Sequence, residues 1–434
     1  DLSGPSEQPL RTFTHATGPG ADVSSVAFGD LDGKPVIASA GRDGLVKVWD
    51  LSGPSEQPLR TFTHATGPGA DVSSVAFGDL GGKPVIASAG SDGLVKVWDL
   101  SGPSEQPLRT LAHATGPDAF VSSVAFGDLG GKPVIASAGS GGVVKVWDLS
   151  RRSEQPPRTL AHATGPGADV SSVAFGDLDG KPVIASAGRD GLVKVWDLSR
   201  RSEQPLRTLA DATGPDADVY SVAFGDLGGK PVIASARSDG LVKVWDLSRR
   251  SEQPLRTLAH ATEPDAGVSS VAFGDLGGKP VIVSGGSGGL VKVWDLSRRS
   301  EQPLRTFTHA TGPDADVSSV AFGDLDGKPV IVSGGNDSLI KMWNPDTDQG
   351  PIGFIAPEGF GPDAPLAEIA TGKINGHQVV ATGQNGQVTL YKLAAIDAQP
   401  LREILCQRTG GAFGEDQWRE YFGPDEPYRN GCPT

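Results

Sequence analysis

Short runs of residues with β character, rich in Val and other apolar residues, recur along the chain and are separated by turn residues. In the first full copy the runs are residues 23–28, 35–39 and 45–49, joined by segments rich in Gly and Asp. Such runs with hairpin-length connections predict an antiparallel meander. A fourth run, residues 58–63, follows a polar link, so the pattern predicts four strands in each copy.

Tryptophan marks the length of this repeat. It recurs every 49 residues without an insertion, at Trp49, Trp98, Trp147, Trp196, Trp245, Trp294 and Trp343. Residues 366–393 follow the same template in degenerate form, with Tyr391 in the position of the tryptophan. Four short strands at a period in this range are typical of the blades of a β-propeller. The sequence therefore predicts an all-β propeller of eight blades over residues 1–393, with blades 1 to 7 ending at about residues 344–358 and a tail over residues 394–434.

The eighth blade lacks an obvious outer strand of its own. Residues 8–15 repeat the fourth run of the other copies but have no preceding copy to join. We therefore predict that residues 8–15 close the ring as the outer strand of the blade built from residues 366–392.

Three features of each copy carry a family resemblance. The dipeptide Trp49-Asp50 ends the third run, Asp43 lies in the preceding turn, and His15 precedes the first run. Over residues 1–344 this pattern resembles the WD-repeat family, with Thr14-His15 in place of the usual Gly-His. The resemblance implies a hydrogen-bonded tetrad of His, Ser, Asp and Trp in each blade. Four copies contain all four residues: His15, Ser39, Asp43 and Trp49; His64, Ser88, Asp92 and Trp98; His162, Ser186, Asp190 and Trp196; and His309, Ser333, Asp337 and Trp343.

Three other copies lack one member of the tetrad. Gly141 and Gly288 replace the turn Asp in blades 3 and 6, and Asp211 replaces the His in blade 5. Because a buried polar group that loses its partner costs about 1–3 kcal/mol, we expect these blades to be less stable.

Catalysis, metal binding and cofactor binding find no support in the sequence. Ser, His and Asp are the residue types of a hydrolase triad, but here they recur in four copies with a Trp attached, which favours a structural network. Residues 30–33, Asp-Leu-Asp-Gly, resemble a calcium loop only faintly, because Gly replaces Asp32 in most other copies. We therefore expect no enzyme activity, no metal and no cofactor.

The charge and the hydropathy of the chain limit its partners. A formal charge of −14 argues against nucleic-acid binding, which relies on Lys and Arg. No apolar run is long enough to span a membrane, and no signal peptide opens the chain. Asp1 aligns with Asp50, in the middle of a repeat, which suggests a piece of a longer protein. We expect a cytoplasmic monomer.

The tail contains the two cysteines of the chain, Cys406 and Cys432. Residues 397–408 fit either a short helix or a further strand. The tail resembles that of bacterial multidomain WD-repeat proteins, which favours the helix. We predict that the cysteines lie close together, and whether they are bonded is left open.

The resemblance implies a non-catalytic scaffold that binds a protein, as the sensor or partner-binding module of a larger bacterial protein. A propeller that binds a sugar or small ligand, or a propeller hydrolase, is the alternative. The candidate contact residues are departures from the repeat at one face, centred on blades 3 to 5: Phe120, Arg189, Tyr220 and Arg237, with Arg42 in blade 1. Aromatic and Arg side chains dominate binding hot spots, but drift between recently duplicated copies would also explain them.

Overall fold

The computed structural model describes residues 9–17, 22–67, 69–116, 118–150, 156–163, 167–210, 218–261, 266–311, 315–325, 327–347, 351–355, 368–374 and 377–392. The predicted tail helix, Cys406, Cys432 and Asp211 lie outside them, as does the predicted domain boundary at residues 393 and 394.

The described residues form eight four-stranded antiparallel sheets, each one blade of a propeller. This is the fold class that the sequence predicts. Blade 1 contains β2 to β5, the next six blades follow in chain order, and blade 8 contains β30, β31, β32 and β1. The strands are β1 Arg11–Thr14, β2 Val23–Leu31, β3 Lys34–Gly41, β4 Leu45–Asp50, β5 Arg60–Thr63, β6 Val72–Asp79, β7 Pro84–Gly90, β8 Leu94–Asp99, β9 Arg109–Ala112, β10 Val121–Asp128, β11 Pro133–Gly139, β12 Val143–Asp148, β13 Arg158–Ala161, β14 Val170–Leu178, β15 Lys181–Gly188, β16 Leu192–Asp197, β17 Arg207–Ala210, β18 Val219–Asp226, β19 Pro231–Arg237, β20 Leu241–Asp246, β21 Arg256–Ala259, β22 Val268–Asp275, β23 Pro280–Gly286, β24 Leu290–Asp295, β25 Arg305–Thr308, β26 Val317–Leu325, β27 Lys328–Gly335, β28 Ile340–Trp343, β29 Gly353–Ile355, β30 Glu368–Ile374, β31 His377–Gln384 and β32 Gln387–Lys392.

The hydrophobic core lies between neighbouring blades. Val36, Ala38 and Ala40 point to one side of β3 and pack against blade 2, where Ile86 and Trp98 face them. Ile37 points to the other side and packs against blade 8. Successive side chains of a strand face opposite sides of the sheet, and both sides of β3 are covered, so the strand is apolar almost throughout.

Adjacent inner strands fit together through a glycine and an aromatic ring. A Cβ on Gly29 would lie 2.4 Å from the ring of Phe77 in the next blade, and one on Gly127 would lie 2.4 Å from the ring of Phe175. Only glycine leaves room for the ring at these positions, which sets how closely the blades approach.

The N-terminal strand closes the ring. β1 pairs antiparallel with β32, with Phe13 opposite Val388. The Phe13 ring stacks on Trp49 of blade 1 at 4.9 Å between centroids, and the Arg11 guanidinium donates to the Asp50 carbonyl at 2.8 Å. β1 therefore belongs to the sheet of blade 8 and packs on blade 1, as the sequence analysis predicts for residues 8–15.

Blade 8 keeps the sheet of the other blades but changes its polar residues. Tyr391, in the Trp position, is buried, and Asn385, in the Asp position, adopts a φ of 44°. In place of a Ser on the inner strand, Glu368 accepts a hydrogen bond from the Val26 backbone N–H of blade 1 at 2.9 Å. Burial raises the pKa of this carboxyl.

Candidate functional site

The tetrad of blade 1 forms one continuous chain of hydrogen bonds. The Trp49 indole Nε1–H donates to Ser39 Oγ at 2.9 Å. Ser39 Oγ and His15 Nδ1 lie 2.7 Å apart, and His15 Nε2 lies 3.1 Å from Asp43 Oδ1. Because the Ser oxygen accepts from Trp49, its proton goes to Nδ1, and the His ring carries its own proton on Nε2. Each member therefore has a partner.

Blades 2, 4 and 7 have the same chain of contacts. The distances from Nδ1 to Oγ are 2.7 Å in all three blades. The Nε2 to Asp distances are 3.1, 3.1 and 3.0 Å, and the indole donates to Ser at 2.8, 2.8 and 2.7 Å. In blade 7 burial alone would raise the pKa of Asp337, but the charge and hydrogen bond of His309 and the charge of Lys341 lower it to about 2.

A lysine on the third strand completes each intact network. Lys47 and Lys341 donate to the backbone carbonyls of His15 and His309. Lys341 Nζ also lies 3.2 Å from Asp337 Oδ2. This lysine was not among the residues predicted from the sequence, although it recurs two residues before the Trp of each of the seven repeats and so could have been found.

The tetrad is not arranged as a hydrolase triad. Ser39 is fully buried, its lone pair accepts from Trp49 and its proton is committed to His15. A nucleophile must reach a substrate, and this hydroxyl is enclosed between strands. The network therefore serves to hold the turn before β4 and the loop before β2 against the sheet.

Blades 3 and 6 contain the same network without its acceptor. His113 Nδ1 and His260 Nδ1 each lie 2.8 Å from a Ser Oγ, but the Nε2 atoms of both rings have no hydrogen-bond partner in the part of the chain that the structure describes. Burial, with the charge of a nearby Lys, lowers the pKa of His113 to about 4 and that of His260 to about 3.

Blade 5 shows that the prediction for Arg237 is wrong. Arg237 is only 2% exposed, and its guanidinium pairs with Asp239 at 2.6 Å. In intact blades the equivalent residue is a glycine, since a Cβ on Gly41 would lie 2.6 Å from the Asp22 carbonyl oxygen and 2.9 Å from the His15 ring. Blade 5 has no His, so the space admits a larger side chain. Arg237 therefore lies inside the blade and is removed from the candidate contact surface.

Tyr220 and Arg189 lie together on the face that bears the turns between second and third strands. Tyr220 is 44% exposed, and the charge of Arg189 is close enough to lower the pKa of the Tyr220 phenol, although burial and Asp218 raise it overall. Arg189 pairs loosely with Asp169 at 3.8 Å and its side chain is mostly exposed.

A change in the next blade makes room for Tyr220. In blades 1 and 2 the equivalent pair is Ser24 and Asp71, whose side chains hydrogen-bond at 3.0 Å. Blade 6 has Gly267 in the Asp position, and a Cβ there would lie 3.5 Å from the Tyr220 ring. The Asp carboxylate of the other copies would occupy the place of this ring. Gly267 was not among the residues predicted from the sequence. Alignment of the copies would have shown it, because the equivalent residue is Asp or Phe in each of the other six.

Phe120 and Arg42 lie at the same end of their blades as Tyr220 but apart from each other. Phe120 is half-buried, one blade before Arg189, and its backbone N–H and carbonyl bond to Ser140. Arg42 pairs with Asp22 at 3.2 Å and lines a cavity of about 420 Å³ where blades 8, 1 and 2 meet. The structure thus brings together Arg189 and Tyr220, flanked by Phe120, and places Arg42 elsewhere on the ring.

Within the described ranges no three His, Cys, Asp or Glu side chains are placed to hold a metal ion, and no helix there is long and apolar enough to cross a membrane.

Comparison with known proteins agrees with the fold. The profile of the family described as "WD domain, G-beta repeat" matches residues 7–50, 56–99, 105–148, 154–197, 203–246, 252–295 and 301–344. The crystal structure of Saccharomyces cerevisiae Sqt1 is similar, with a TM-score of 0.69 and 16% sequence identity over 89% of this chain and 98% of that chain. At this identity the likeness concerns the fold alone. No curated protein matches the chain.

Proposed function

The chain belongs to the WD40-repeat family, and we propose that it is a non-catalytic scaffold that binds a protein partner through the face bearing Phe120, Arg189 and Tyr220. Propellers of this family are commonly protein-interaction scaffolds. The further expectations, that the chain is the partner-binding module of a larger bacterial protein and acts as a monomer in the cytoplasm, belong to the same proposal.

The exposed aromatic at position 220 is the observation that supports this proposal. Six copies have Ser in this column, whereas blade 5 has Tyr220, and blade 6 has lost the Asp side chain that would otherwise occupy its space. A Tyr held against a neighbouring blade offers a large area to a partner at little further loss of rotamer freedom. Arg189 beside it supplies a charged hydrogen-bond donor.

The small-ligand alternative has one feature in its favour. The cavity beside Arg42 is lined by several polar side chains, among them Asp22, Asp71 and Gln384. Most ligand pockets have predominantly apolar walls with a few polar groups, so this cavity is a weaker candidate than the surface around Tyr220.

The repeat supplies its own control for a test of the scaffold. A photo-crosslinking amino acid placed at position 220 should capture a defined partner from lysate of the source organism, and the same group at Ser24, the equivalent position of blade 1, should not. Equal products at both positions would contradict a surface centred on blades 3 to 5.

The contact residues can be reverted to residues that other copies already contain. In a pull-down without the crosslinking group, the triple variant Phe120→Asp, Arg189→Ser and Tyr220→Ser should no longer retain the partner that crosslinking identifies. Its melting temperature should stay unchanged, because each new residue occurs in the same column of another blade. The control Leu108→Ala alters an exposed apolar side chain before an outer strand and should keep the partner. Undiminished binding by the triple variant would refute the proposal.

A further inference from the structure

Two blades contain a buried His whose second nitrogen lacks an acceptor. His113 is 2% exposed and His260 is fully buried, and neither Nε2 atom has a partner within the described residues. Because the Ser hydroxyl donates to Nδ1, the proton lies on Nε2. An N–H group is thus directed at the place where intact blades have an Asp carboxylate.

A second donor stands beside each of these rings. In blades 2 and 7 the Lys on the third strand pairs with the tetrad Asp at 3.6 and 3.2 Å. In blades 3 and 6 the same Lys remains, as Lys145 and Lys292, and donates to the carbonyls of Ala112 and Ala259 at 3.1 and 3.4 Å. The sites have therefore kept the donors that bind a carboxylate and lost only the carboxylate.

The turns of these two blades have also changed conformation. Intact blades have one residue with positive φ at this turn, such as Gly93 at 72°, whereas blade 3 has Gly141 at 86° and Gly142 at 66°, and blade 6 has Gly288 at 81° and Gly289 at 64°. A Cβ on Gly141 or Gly288 would meet nothing within 4 Å. The space outside the turn is open, so the turn can move outward to the conformation that blade 2 adopts.

We propose that blades 3 and 6 are carboxylate-binding sites, in which the acid group of another molecule takes the place of the missing Asp, accepting from His113 or His260 Nε2–H and facing Lys145 or Lys292. The acid is a small carboxylate or the Asp or Glu side chain of a peptide, and both offer the same oxygen pair. Binding requires the turn to open, since it covers Nε2.

The two sites should differ in affinity. In blade 3 the Ser140 backbone lies close enough to His113 to raise its pKa, although within the described residues no acceptor has hydrogen-bond geometry to His113 Nε2. Blade 6 has no such substitute in the described residues. We expect the carboxylate to bind more tightly in blade 6.

The NMR signals of the His side-chain nitrogens report binding directly. With ¹⁵N-labelled His, formate should shift the signals of His113 and His260 saturably, with half-saturation on the order of 1 mM or above for a three-atom ligand, while His64 and His162, whose Nε2 is occupied by Asp, stay in place. Sodium chloride at equal ionic strength should shift none of them. A second titration uses a blocked aspartyl peptide. Saturation by the peptide alone would show that the sites bind Asp or Glu side chains of a peptide, whereas saturation by formate would show that they bind small carboxylates.

Matched variants show whether the sites are those proposed. Gly141→Asp and Gly288→Asp supply an internal acid, in the Ser-Asp-Gly turn that blade 2 contains, and should abolish the formate shift of the ring in the same blade. Gly130→Asp and Gly277→Asp add the same charge at the turn between the first two strands, where blade 1 naturally has Asp32, and should leave the shift intact. If neither probe shifts His113 or His260, or if all His signals shift alike, the proposal is overturned, and this titration of the unmodified protein decides it even if a variant fails to fold.

Discussion

Acidification should destabilise this propeller through blades 3 and 6, and restoring the missing Asp should reduce that loss. The rings of His113 and His260 are held neutral by burial, with pKa values of about 4 and about 3, whereas an unfolded His has a value of 6.5. A group whose folded pKa is lowered in this way takes up a proton only on unfolding. Stability is therefore greatest above pH 6.5 and falls as the pH decreases toward 4.

The size of the effect follows from these values. At pH 5 an unfolded His is almost fully protonated and both folded rings are neutral, so each site destabilises the folded state by about 2 kcal/mol relative to pH 7. The two sites together account for about 4 kcal/mol. In blade 7 the charge and hydrogen bond of Asp337 raise the pKa of His309, although burial keeps it below its usual value. The double variant Gly141→Asp with Gly288→Asp should therefore lose less stability from its two sites than the unmodified protein does.

Urea unfolding at pH 7 and pH 5 measures this loss, since the shift of the midpoint multiplied by the slope gives the change in free energy. The remaining His residues are the same in both proteins, so their contributions cancel in the comparison. The control Gly130→Asp with Gly277→Asp has the same net charge and should keep the full acid loss. An acid loss in the Gly141→Asp with Gly288→Asp protein equal to that of the unmodified chain would refute the assignment of the effect to these two rings.

Three further perturbations test the fold and its networks. Asp337→Gly should destabilise the protein by about 2 kcal/mol at pH 7, because the folded state lowers the Asp337 pKa from 3.8 to about 2; this contribution is present above pH 4 and is lost as the pH falls to about 2. Asp92→Gly should cost less stability, because Lys96 beside Asp92 is partly solvated whereas Lys341 beside Asp337 is 1% exposed. The urea midpoints of the two variants measure the difference. Deletion of residues 1–16 removes β1 and should lower the melting temperature far more than deletion of residues 1–8, which keeps it; equal melting would argue against closure by β1. Gly127→Ala places a Cβ 2.4 Å from the Phe175 ring and should destabilise by about 1–3 kcal/mol, while Gly102→Ala, with nothing within 4 Å of its Cβ, should be neutral in the same melt.

The blade architecture could be predicted because the strand-forming runs, the turn residues and the fixed repeat length all indicate the same fold. The three β-forming runs of the first copy become β2, β3 and β4, and the turn residues between them supply the positive φ values, as Gly33 and Gly44 do. A repeat of fixed length makes this information redundant over seven copies. The closing strand could be predicted by counting strands alone. Residues 11–14 repeat the sequence of the outer strands, and no blade precedes them in the chain to which they could belong.

The candidate contact surface was harder to predict because exposure depends on neighbours in two blades. From the sequence Arg237 is expected to lie on the surface. In the other blades, however, the equivalent position lies next to the ring of the tetrad His, and because blade 5 lacks that His, Arg237 is buried there. Tyr220 reads as a replacement for a small polar residue, but its place depends on Gly267 in the following blade. Alignment of the repeats shows that a residue has changed at one position, but its burial depends on contacts with residues at other positions of the alignment.

These packing relations also bear on whether the departures in blade 5 are drift. Arg237 is compatible only with a blade that lacks the tetrad His, because in blade 4 a Cβ at the equivalent Gly188 would lie 2.7 Å from the His162 ring. Tyr220 is compatible only with a following blade that lacks the Asp carboxylate, which in blade 2 reaches the Ser24 hydroxyl. Independent drift would place such changes in blades without regard to one another. Here each large residue occurs where the residue that it would collide with is absent, so the substitutions of blades 5 and 6 act as compensated sets, and Tyr220, the member left exposed, is the one whose side chain can meet a partner.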